Sequence, residues 1–96
     1  MRLKYTPQAI EDLKRLYDFV APKSPLAARR VAIDIQEAAE KLKVFPKIGL
    51  PVSRSTDTYL LKDLYIGDYS IRYQISSPEQ IEILRIWHNK DIEKDL

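Results

Sequence analysis

The chain has 96 residues, 45% of them hydrophobic and 31% charged, which describes one folded domain with a single core rather than a disordered segment. It contains no cysteine, so a disulfide framework and a thiolate metal site are excluded, and no apolar run approaches the roughly 18 residues of a membrane span. A cytoplasmic location, no membrane partner and no cofactor are therefore expected, and a net charge of +2 is too small to argue for nucleic acid unless the charges gather on one face.

Arg2 to Tyr5 alternates charged and apolar side chains and predicts a short strand. Thr6-Pro7 is a helix start, a hydroxyl N-cap followed by proline at the first helical position. Ile10, Leu13, Leu16, Tyr17 and Val20 then recur at three- and four-residue steps, which predicts a helix over 7–20 with Lys14, Arg15 and Asp18 on its outer side. Glu11 and Asp12 fall early in it, where they favour the positive end of the helix dipole. Ser24-Pro25 repeats the start signal. Ala28, Val31, Ala32, Ile35, Ala38, Ala39 and Leu42 form a second, alanine-rich stripe that allows close approach of a neighbour. The short connection makes the two helices an antiparallel hairpin.

Phe45-Pro46 ends the second helix and Gly49-Leu50-Pro51 turns the chain. Residues 52–57 read as a loop or ragged strand, and 59–66 as a strand. Gly67-Asp68 is a two-residue hairpin turn. Tyr69, Ile71, Tyr73 and Ile75 alternate with Ser70, Arg72, Gln74 and Ser76, the period of a strand with one buried face. Pro78 marks the next loop. The last strand, 81–88, is apolar on both sides, with Ile81 and Ile83 on one and Leu84 and Ile86 flanking Arg85 on the other, as suits a strand with neighbours on either side. Residues 89–96 form a tail, either a short helical turn or a segment ordered by a partner. The whole is one α+β domain over 1–96: an N-terminal strand, an antiparallel helical hairpin, then a three-stranded antiparallel meander. The helices cover one face of a small sheet and leave the other for solvent or a partner.

No Gly-rich phosphate loop, histidine pair or Gly-x-Ser-x-Gly elbow is present, so nucleotide hydrolysis, zinc chemistry and esterase chemistry have no support. His88 is the one histidine, and is either hydrogen-bonded at the core edge or available for proton transfer. Arg72, Arg85 and Trp87 share the open face. An arginine beside an aromatic can stack on a nucleobase, anchor a protein interface or simply be solvated there.

Taken together, Leu61-Lys62-Asp63-Leu64, Ile66-Gly67-Asp68-Tyr69, Ile71, Tyr73-Gln74-Ile75 and 83–88 resemble the C-terminal half of the ParE/RelE toxins of type II toxin–antitoxin systems. Tyr5-Thr6-Pro7, Ala9, Asp12-Leu13, Pro25, Ala28, Leu42, Phe45-Pro46 and Gly49 resemble the helical hairpin of the same superfamily. The resemblance implies either a ParE-like inhibitor of DNA gyrase or a RelE-like ribosome-dependent messenger ribonuclease, or else a module that binds an antitoxin and nothing more. Ribonuclease members resemble one another in an arginine directly after the tyrosine of the Tyr-x-x-x-Tyr strand. This chain has Ser70 there, with Arg72 about 6 to 7 Å further along the same face. The C-terminal tyrosine of many RelE-like members is also missing. The ParE-like function is therefore expected, with no catalytic residue assigned and His88 in that role only for a ribonuclease. Lys62, Arg72, Arg85, Trp87, His88 and Lys90 are the candidates for target contact, and Leu16, Val20 and Leu42 for contact with a ParD-like antitoxin. Operator DNA would be met only through that antitoxin.

Overall fold

The computed structural model describes residues 1–52 and 61–90. Its elements in chain order are β1 (Arg2–Tyr5), α1 (Pro7–Val20), α2 (Pro25–Lys41), β2 (Leu50–Pro51), β3 (Leu61–Ile66), β4 (Tyr69–Ser77) and β5 (Gln80–His88). Both helix starts are built as their sequences require. The Thr6 hydroxyl accepts from the Ala9 N–H at 3.2 Å and the Ser24 hydroxyl from the Ala27 N–H at 3.1 Å. Thr6 also donates its hydroxyl to the Leu84 carbonyl and its backbone N–H to the Ile83 carbonyl, which fastens the start of α1 to β5.

The five strands form one mixed sheet in the order β1-β5-β4-β3-β2. β1 runs parallel to β5, and the remaining pairs are antiparallel. β5 thus has a neighbour on either side, as its doubly apolar sequence predicts. At β2 the sequence predicts a turn. The segment becomes an edge strand because the chain leaving α2 is drawn against β4: the Gly49 N–H donates to the Tyr73 hydroxyl at 2.9 Å, and that hydroxyl donates to the Pro46 carbonyl at 2.7 Å. A Cβ at Gly49 would lie 2.7 Å from the Tyr73 oxygen, so only glycine fits there. The strand expected over 59–66 is seen from Leu61, and the rest of that range, with most of 52–57 and the tail beyond Lys90, lies outside the described residues.

At the β3–β4 turn, Gly67 has φ of 56° while Asp68 stays in the negative range, the pattern of a hairpin turn whose first central residue is glycine. Between β4 and β5 the register shifts twice. Arg72 faces Arg85 and Tyr73 faces Ile83, so Leu84 is an extra residue, a β-bulge. The bulge corrects the expected division of β5: it returns Ile86 to the same face as Ile81 and Ile83, and all three are fully buried. With Ile71, Tyr73, Ile35 and Leu42 they form the core between sheet and helices, each contributing about 1.5 to 3 kcal/mol by leaving water.

The inner stripe of α1 is also rotated from its expected position. Ala9, Asp12 and Leu16 are its buried residues, with Leu13 packed beside them, whereas Ile10 and Tyr17 are exposed. Asp12 does not serve the helix dipole. It lies beyond the first turn and is directed at the free edge of β5.

The candidate target-binding face

On the face away from the helices, the register aligns Asp63, Arg72 and Arg85 across β3, β4 and β5, with Ser70 opposite Trp87 and Gln74 opposite Glu82. Arg72 is held there in two directions. Its Nε donates to Asp63 Oδ1 at 2.8 Å and its Nη2 to Asp63 Oδ2 at 2.9 Å, a bidentate pair, while the guanidinium carbon sits 5.2 Å from the centre of the Trp87 ring. The bond to Asp63 raises the Arg72 pKa further, burial opposing it, so the cation is permanent. The Trp87 Nε1–H is buried and has no acceptor among the described residues.

Arg85 belongs to the same row, but its guanidinium turns to α1. Nε and Nη2 donate to the two oxygens of Asp12 at 2.7 and 3.2 Å, and the Ile86 backbone N–H donates to the same carboxylate at 3.0 Å. Asp12 therefore caps the stretch of β5 edge beyond the end of β1. It lies within 3.5 Å of Arg15 as well. Arg72 and Arg85 are thus each paired with a carboxylate and remain only partly open to solvent. Ser70 is fully buried, and its hydroxyl donates to Asn89 Oδ1.

The other candidates are dispersed. His88 faces Tyr69 across the strands on the helix-covered side, its ring edge-on to the tyrosine with centroids 5.0 Å apart, and its Nδ1 accepts the Lys90 N–H at 3.1 Å. Lys90 itself is exposed. Lys62 is a correction: it pairs with Tyr73 in the register, shares that residue's face and is buried, so it is not part of the open face. Among the antitoxin-contact candidates, Leu16 and Leu42 are core residues, also a correction, because the inner faces of both helices are spent on the sheet. Val20 is half-buried. The apolar side chains that do reach solvent nearby are Tyr17, Phe19 and Leu26, with the Lys23 ammonium 5.9 Å from the Phe19 ring centre.

Sequence reasoning missed Asp12, Asp63 and Asn89 as the residues that organise the face. Asp63 was within reach: counting outward from the Gly67-Asp68 turn pairs residue 63 with residue 72 and residue 62 with the buried Tyr73. Asp12 and Arg85 are 73 positions apart, and no local pattern joins them. Among the described residues, no group of three or more histidine, aspartate or glutamate side chains is placed to hold a metal ion.

Two helices on one side of a five-stranded mixed sheet is an architecture that this chain shares with solved proteins of toxin–antitoxin systems. The chain is similar to the structure described as the chromosomal ParDE system from P. aeruginosa, with a TM-score of 0.74, 27% identity and coverage of 92% of this chain and 95% of that one. It shares its fold with the toxin–antitoxin complex RelBE2 from Mycobacterium tuberculosis, with a TM-score of 0.67, 24% identity and coverage of 91% and 95%. The RelB–RelE complex from Methanococcus jannaschii has the same fold more distantly, with a TM-score of 0.55, 17% identity and coverage of 97% and 98%. Among curated proteins, Toxin RelE2 of Caulobacter vibrioides is 32% identical over 84 residues, 88% of this chain and 90% of that protein. The family model for the ParE toxin of the type II toxin–antitoxin system parDE matches residues 3–93, and the chain belongs to that family.

Proposed function

We propose that this toxin is ParE-like in action: it arrests growth by inhibiting DNA gyrase in the cytoplasm, and a ParD-like antitoxin neutralises it and carries it to operator DNA. The observation that supports this most strongly is Ser70. Cleavage of RNA through the ribose 2′-hydroxyl requires groups that move protons and a cation near the crowded phosphate. The position at which ribonuclease members have an arginine is here a fully buried serine bonded to Asn89. The two arginines further along are each matched by a carboxylate of the protein. The likeness to Toxin RelE2 favours a second reading, ribosome-dependent cleavage of messenger RNA with His88 moving the proton.

The antitoxin would lie along the helical hairpin as an amphipathic segment. Its apolar contacts would be Val20 and the exposed Tyr17, Phe19 and Leu26 rather than Leu16 or Leu42. The functional test is growth arrest by the His88→Ala variant, checked for folding by circular dichroism. Retained toxicity is expected. A folded variant without toxicity, together with cleaved messages in wild-type cells, would move the assignment to the ribonuclease branch.

A further inference from the structure

The stack of Arg72 on Trp87 leaves one edge of the guanidinium unspent. Arginine has five N–H donors. Asp63 takes the Nε–H and one N–H of Nη2, and among the described residues no other group accepts from Arg72. Two N–H groups on Nη1 and one on Nη2 remain, the end-on fork that matches a second two-oxygen anion. The fork is already oriented. Asp63 fixes the guanidinium along the sheet, the indole lies against it, and the arginine side chain is 36% exposed, enough to be reached from outside. Ordering a free arginine is one part of the entropic cost of such a contact, and here the fold has already met that part.

We infer that Arg72, stacked on Trp87 and tethered by Asp63, is a preorganised docking point for a single carboxylate side chain of a protein partner. This deepens the proposed function, on which it rests for the identity of the partner but not for the chemistry. Charge selects the partner class. A nucleic-acid backbone is bound by faces that neutralise several phosphates at once. Here Arg72 and Arg85 are cancelled by Asp63 and Asp12, and Gln74 donates to Glu82 in the adjoining row. A lone carboxylate placed on the outer fork gains two charge-assisted hydrogen bonds without meeting a row of phosphates. A polyanion would bring further negative charge towards Asp63 and Glu82.

The test uses the full chain labelled with nitrogen-15 and follows the Trp87 indole N–H and the Arg72 side-chain N–H by NMR. N-acetyl-aspartate N-methylamide, dimethyl phosphate and sodium chloride are titrated at matched ionic strength. The expected result is a saturable shift of both signals with the carboxylate, weaker binding of the phosphate diester and none of chloride. Arg72→Lys, which keeps the charge but loses the fork, weakens carboxylate binding by about tenfold. Trp87→Phe keeps the Asp63 pair and weakens binding by a smaller factor, which serves if the lysine variant does not fold. No saturable carboxylate shift in the wild type, equal binding by folded Arg72→Lys, or phosphate binding as tight as carboxylate would each overturn the inference. Gyrase inhibition is read separately: intact carboxylate binding without inhibition rejects gyrase as the target and leaves the docking point standing.

Discussion

Replacing Asp12 by alanine is expected to destabilise the fold by about 2 to 4 kcal/mol, although a helix residue flanked by charged neighbours would ordinarily tolerate the change. The magnitude has two parts. The Ile86 N–H, buried at the edge of β5, loses its acceptor, and an unsatisfied buried backbone donor costs about 1 to 3 kcal/mol. Arg85 loses its bidentate partner, but its side chain is 43% exposed and water can replace much of the carboxylate, so this part is held to about 1 kcal/mol. Asp12→Asn keeps an oxygen for the Ile86 N–H and should lose roughly half as much. Arg15, more than half exposed and 3.5 Å from the same carboxylate, is the control: its alanine variant should stay within about 0.5 kcal/mol of wild type. Urea denaturation at neutral pH with unchanged slopes gives these values directly. An Asp12→Ala midpoint equal to that of Arg15→Ala would refute the edge cap.

Tyr73→Phe removes the buried hydroxyl that joins Pro46 and Gly49 and should cost about 1 to 3 kcal/mol in the same urea assay. The Tyr73 and Tyr5 phenols are raised, both chiefly by burial, above their unfolded value near 10. Their contribution is therefore fully present below that pH and lost as pH rises through the folded values, because the unfolded chain ionises first. Stability followed from pH 9 upward should fall, less steeply in Tyr73→Phe; equal slopes would contradict the assignment. Gly49→Ala should cost about 1 to 3 kcal/mol by collision with Tyr73, and pairing it with Tyr73→Phe should give less than the sum of the two losses. Ile35→Ala, in the core of α2, should cost about 2 to 5 kcal/mol, whereas the exposed Arg30→Ala should cost little; equal denaturation midpoints would contradict the helix orientation.

The legible parts of this fold are those set by local rules. Thr6-Pro7 and Ser24-Pro25 each have a hydroxyl and a proline in the cap geometry, so both helix starts can be read directly. The alternation from Tyr69 to Ser76 separates the core side of β4 from the open side. The errors arise where a distant partner overrides a local pattern. Leu84 looks like the start of a second apolar face until its pairing reveals the bulge. Ile10 and Tyr17 fit a helical stripe as well as Ala9 and Asp12 do, and only the β5 edge, with an N–H in need of an acceptor, draws Asp12 inward. Leu50-Pro51 reads as a turn because Tyr73, which pulls it to the sheet edge, comes more than twenty residues later. On the open face Arg72 follows from strand parity and Asp63 from the register of the β3–β4 turn, whereas Arg85 and Trp87 share the parity of the buried Ile81 and Ile83 and reach that face only through the bulge, and Asp12 is joined to Arg85 only by contact between α1 and β5.

Gyrase inhibition and messenger cleavage are separated by assaying one preparation of purified wild-type protein in parallel for inhibition of gyrase supercoiling and for cleavage on programmed ribosomes. Dose-dependent loss of supercoiling is expected, reversed by a ParD-like antitoxin, with messages left intact. Cleaved messages alongside undiminished supercoiling would contradict the ParE-like function.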